Sequence, residues 1–182
     1  MDRLEASKVP NPSVPFWVTK VFTTALGEAT SDSLVHRLDP YVAVAIGFVL
    51  FAISMVLQFS VRRYVVWVYW VAVAMVAVFG TMAADAVHIE FKVPYALSFF
   101  FYAVVLTIVF VAWYMSERTI SIHSIVTWRR EAFYWAAVLA TFAMGTALGD
   151  LTAFTLHFGF FSSGLLFLAL SPSRASPTAG WA

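Results

Sequence analysis

The residues able to do chemistry fall into one pattern, which the chain writes three times. Trp17, Gly27 and Asp32 recur at the same spacing as Trp70, Gly80, Asp85 and as Trp135, Gly145, Asp150. The residue after each glycine is Glu28, Thr81 or Thr146, which gives W-x9-G-[ET]-x3-D. Each aspartate follows a run of mostly apolar residues. A carboxylate at membrane depth costs about 2.5–3.5 kcal/mol on the insertion scale, so a chain that repeats one is expected to use it. Oxygen ligands with an imidazole nearby suit a hard or borderline divalent ion such as Mg or Mn, or a proton relay. His36, four residues after Asp32, and His88, three after Asp85, are placed to assist. The candidate metal ligands are therefore Glu28, Asp32, Asp85, Asp150, His88 and His36. No catalytic residue and no cofactor beyond a divalent cation is expected.

These residues need helices to position them. At about 100° per residue, the Trp, the residue after Gly and the Asp fall near 0°, 20° and 60°, one stripe of a helix. Lys20, Thr24, Glu28, Ser31 and Asp32 share that stripe in the first copy, and His88 returns to it in the second. Gly27, Gly80 and Gly145 flank the stripe, where a missing side chain lets another helix come close. Three such helices facing inward would gather the aspartates at one level, with Glu28 about one turn deeper. Carboxylates so placed repel unless a cation or shared protons fill the gap. The plainer alternatives are that each aspartate caps its helix in interfacial water, and that Thr81 and Thr146 are packing hydroxyls. Trp17, Trp70 and Trp135 are expected in the interfacial belt. His36 and His88 would then be loop residues, and Lys20 would snorkel to headgroups or neutralise Glu28.

Composition sets the environment. Of 182 residues, 62% are hydrophobic and 12% charged, where a soluble domain carries about a quarter charged. The net charge of +1 gives no reason to expect nucleic acid, and the absence of cysteine excludes disulfides and thiolate chemistry. HExxH, Walker, GxSxG and GxGxxG motifs are absent, which leaves an intramembrane enzyme the weakest reading.

Six apolar segments are long enough, or nearly so, to cross about 30 Å of hydrocarbon. They run from Pro15 to Val35, Tyr41 to Phe59, Tyr64 to Val87, Tyr95 to Met115, Ala132 to Phe154, and Leu156 to Leu170. The expected fold is an all-α polytopic membrane helix bundle of about six transmembrane helices in three parallel hairpin repeats, near 15–60, 64–115 and 131–170. Residues 1–14 form a polar lead without signal-peptide features, and 171–182 a tail expected to be disordered. Loops and termini divide their Lys and Arg eight to two, Lys20 left aside as intramembrane. The positive-inside rule then places both termini in the cytoplasm and the aspartates near the opposite face.

The runs FWVTKVFTTALGEATSD, QFSVRRYVVWVYW, SERTISIHSI and RREAFYWAAVLATFAMGTALGD resemble an uncharacterised family of bacterial multi-pass membrane proteins. The resemblance extends from Lys8 to about Leu170 and implies a helical inner-membrane protein. It also implies a further motif-bearing helix with a fourth G-x4-D copy. Where that would follow, this chain has SPSRASPTAGWA, which the resemblance reads as a truncation or frameshift near Leu170. The leading expectation is a transporter or channel for a small cation, either a divalent metal or a proton-coupled solute. The alternative is a non-transporting scaffold or partner subunit. The expected partners are the lipid bilayer and further copies of the chain in a homo-oligomer.

Overall fold

The computed structural model describes residues 7–90 and 92–170, whose regular structure is helical, without a strand. The helices are α1 (Val14–Arg37), α2 (Pro40–Ser60), α3 (Val66–Glu90), α4 (Tyr95–Glu117), α5 (Trp128–Asp150) and α6 (Gly159–Leu170). The tail at 171–182 lies outside the described residues.

Local chemistry sets the helix starts. The Ser13 side chain accepts from the Phe16 amide at the head of α1, and Asp39 accepts from Tyr41 and Val42 at the head of α2. Proline stands in the first turn of both helices, where its missing N–H would be unpaired anyway. Thr127 caps α5 through the Arg130 amide. At its far end α5 runs on as a π turn, Leu151–Thr155, in which the Leu156 amide reaches the Leu151 carbonyl. His157 and Gly159, both at positive φ, then reverse the chain.

Helices α2, α3, α4 and the α5–π run are long and apolar enough to cross a membrane. Helix α1 is long but carries Lys20, Glu28 and Asp32; its outer face still presents Val14, Val18, Val21, Phe22 and Leu26. Helix α6 has only 12 residues. Exposed Phe, Leu, Ile and Val cover α2 and α4, a surface that lipid accepts and water does not. The chain is a polytopic membrane protein.

The motif helices pack in a row, α1 on α3 and α3 on α5, while α1 and α5 share no comparable interface. Helix α3 is the innermost, with Tyr69, Ala72, Val73, Val76 and Ala77 all but inaccessible. Each return helix packs mainly on the next motif helix, α2 on α3 and α4 on α5, rather than on its own hairpin partner. The main core, around Tyr69, Val73, Trp113 and Trp135, fills the end of the bundle that holds the motif tryptophans. A smaller cluster of Ala84, Tyr102, Ala143 and Ala147 lies toward the aspartate end.

Candidate functional site

Because α1 and α5 do not close on each other, a cleft of about 680 Å³ opens between them. Lys20, Thr24 and Glu28, four residues apart along α1, line one wall; Phe142, Thr146 and Asp150 of α5 line the other. Thr81 of α3 is on the floor, buried, its hydroxyl oxygen 3.4 Å from that of Thr146. More than three turns lower, the Tyr69 and Tyr134 hydroxyls meet at 2.6 Å, so α3 and α5 are tied at two matching repeat positions.

The carboxylates gather at one end. Asp85 lies within charge range of Asp150, Asp32 and Glu28, and Asp150 within range of Glu28, His88 and Asp32. Asp85 and Asp150 are half-buried, whereas Glu28 and Asp32 are exposed. His88 stacks on Tyr95 at 3.8 Å, and its buried Nδ1 has no hydrogen-bond partner. His36 instead sets its Nδ1 2.7 Å from the backbone oxygen of Asp32 on its own helix. Among the described residues, no three His, Asp or Glu side chains stand together at metal-binding range. Asp85 and Asp150 thus lie within charge range of Glu28 and Asp32 without the four closing on a point.

The repeat behind this geometry matches a family described as Repeat of Unknown Function (DUF347), over residues 15–64, 68–119 and 133–170. The chain belongs to the DUF347 repeat family. No curated protein and no solved structure matches it.

Across the three DUF347 units the aspartate keeps one place in its helix. Asp32, Asp85 and Asp150 each stand five residues before the helical run ends, at Arg37, Glu90 and Thr155. At about 1.5 Å per residue, each carboxylate is more than a turn inside its helix end. The motif glycines differ in what they meet: a Cβ on Gly27 would collide with Ala77 of α3, and one on Gly80 with Phe142 of α5. Around Gly145 there is open space.

The three motif tryptophans have different surroundings. Trp17 is exposed and Trp70 is packed among Phe16 and Tyr69, but Trp135 is buried at 3% exposure against Tyr69. Their environments differ because α1 is the open edge of the row while α5 is covered by α3 and α4. Lys20 is half-buried, and instead of an ion pair with Glu28 its ammonium lies 4.1 Å from the Phe142 ring centre, a cation–π contact across the cleft.

One polar cluster was not expected from the motif. Glu131, fully buried in the first turn of α5, accepts from Lys8 Nζ at 2.5 Å and from Gln58 Nε2 at 2.7 Å. The Lys8 amide also donates to the Ile125 carbonyl, and the Ser7 hydroxyl to Ile122. These bonds clasp the N-terminal segment, the end of α2 and the α4–α5 loop together at the tryptophan end. The signal available in sequence was Gln58, a lone amide near the end of an otherwise apolar helix.

Proposed function

We propose that this DUF347 chain is a transporter or channel for a small cation, a divalent metal or a proton-coupled solute. The observation that carries the reading is the gathering of Glu28, Asp32, Asp85 and Asp150, from three repeat-related helices, into one charge-coupled group beside a cleft with a threonine floor. Carboxylates brought together in a low-dielectric setting favour a bound cation or shared protons. In this reading the three aspartates supply first-contact oxygens, Glu28 is a deeper ligand or proton acceptor, and His88 acts beside Asp150. Thr81 and Thr146 add neutral oxygens to the path. Lys20, two turns below Glu28, sets a positive barrier at the tryptophan end.

The membrane in this reading is the bacterial inner membrane, with both termini cytoplasmic and the carboxylates at the outer face. The eight-to-two division of loop Lys and Arg supports that orientation. A second reading, a non-transporting scaffold or partner subunit, is favoured by the lack of three converged ligands among the described residues. Ion uptake into proteoliposomes separates them. Uptake by the wild type that Asp85→Asn and Asp150→Asn abolish is expected for a transporter. No uptake of protons or of any divalent ion by a well-folded wild type would leave the scaffold.

A further inference from the structure

Two of the three motif glycines are covered by the next motif helix in one register. A Cβ on Gly27 would stand 2.3 Å from the Cβ of Ala77, and one on Gly80 would stand 2.9 Å from the Cβ of Phe142. Ala77 follows Trp70 by seven residues and Phe142 follows Trp135 by seven, so each glycine receives the same position of the following repeat. Gly145 is the third, and nothing lies within 4 Å of its Cβ position. The matching seventh residue after Trp17 is Thr24, which faces the cleft from the opposite wall with no motif helix against it. A head-to-tail helix contact is thus used twice and left open at both ends of the row.

The return helices repeat the pattern. Helix α2 packs on α3 and α4 packs on α5, but among the described residues α6 meets chiefly the π turn. Its Phe160, Ser163, Gly164 and Phe167 line the cleft at helical spacing. Gly164 has open space about it, and Ser163, 3% exposed, has a hydroxyl with no partner. Small residues and an unmet hydroxyl on one face are what a close helix–helix contact in lipid uses.

We propose that the open edges of α1 and α5 that flank this cleft, rather than the cleft's interior, form a homodimer interface. A second copy, related by a two-fold axis along the membrane normal, sets its α1 against α5 of the first and its α5 against α1. Gly145 of each chain then receives Thr24 of the partner subunit, which continues the register of the two contacts within the chain. The axis direction matters: it keeps every motif helix running the same way, as the α1–α3 and α3–α5 contacts require. A two-fold contact also satisfies both open ends at once and leaves none to polymerise. The proposal is independent of whether the carboxylates carry a cation.

The chain has no cysteine, so pairs can be introduced without background. Thr24→Cys in one full-length tagged chain and Gly145→Cys in another, co-expressed and oxidised in native membranes, should give a disulfide species carrying both tags. Gly145→Leu should turn the dimer to monomer in detergent or nanodisc mass measurements while its circular dichroism stays that of the folded helical chain, because a Cβ at this position meets nothing within its own chain. The proposal is overturned if the mixed pair gives no two-tag species while Thr24→Cys/Gly145→Cys in one chain bridges internally. It is equally overturned if the wild type has a monomer's mass in the bilayer, or if Gly145→Leu leaves a dimer intact.

Discussion

Thr81 and Thr146 occupy the same place in successive repeats, and their hydroxyl oxygens stand 3.4 Å apart between α3 and α5. In the first repeat that place belongs to Glu28, which faces the cleft and is exposed. The exchange of Thr for Glu follows the packing. Where two motif helices close on each other a pair of neutral hydroxyls fits, and a carboxylate stands where the row is open.

The glycine contacts order three substitutions. Gly27→Ala should destabilise by about 1–3 kcal/mol, since its new methyl meets both the side chain and the backbone of α3. Gly80→Ala should cost less, having Phe142 Cβ as its one tight neighbour. Gly145→Ala should be neutral or gain up to about 1 kcal/mol from helix propensity. Thermal melts of the purified variants read the order, and equal losses at all three would contradict the packing.

The clasp at the tryptophan end predicts a large loss from a single charge. Lys8→Met leaves the fully buried Glu131 carboxylate with Gln58 alone and should cost about 3–5 kcal/mol. Lys8→Met/Glu131→Leu removes both charges and should recover most of that loss. Additive losses in the double variant, measured by denaturation in detergent, would mean that the two groups are not coupled.

For the carboxylates, ion-dependent stability is the readout. A divalent ion at a hundredfold excess over Kd should add about 2.7 kcal/mol to the wild type. Asp32→Asn, Asp85→Asn and Asp150→Asn should fold and lose that increment. Asp39→Asn is the matched control: Asp39 caps α2 through two amides, and asparagine caps as well as aspartate. Full ion stabilisation retained in the three variants would make these carboxylates structural.

Reporter fusions test the orientation. A fusion at Leu38, in the short link after α1, should read extracytoplasmic, and one at His123, in the α4–α5 loop, cytoplasmic. The reverse pattern would invert the bundle and place the carboxylates on the inner side.

Much of the fold was legible because membrane helices announce themselves by apolar length. The second segment, read as Tyr41 to Phe59, is Pro40–Ser60, and the fourth, read as Tyr95 to Met115, is Tyr95–Glu117. The break between the fifth and sixth segments was blurred for a physical reason. The turn is made by a π run and a left-handed His157, and neither has a sequence mark as plain as proline. The motif marked the carboxylates as one repeated place on three helices, since helical periodicity is local. It said nothing of Lys8 reaching Glu131 across 123 positions, or of Lys20 lying on Phe142, because those contacts depend on which helix faces meet. Trp17, Trp70 and Trp135 make the same point: one motif place has three environments, set by position in the row.

The packing of each return helix on the following motif helix also has a consequence for how the protein is made. A hairpin that has just left the insertion machinery has little to fold against, since α1 touches α2 only sparsely. Helix α2 gains its seat when α3 arrives, and α4 when α5 does. The unit that is translated and the unit that packs are therefore offset by one helix, and synthesis of each repeat completes the one before it. Removing a middle repeat would strip α2 of its seat and α5 of its neighbour together, whereas a repeat added after α6 would simply extend the row.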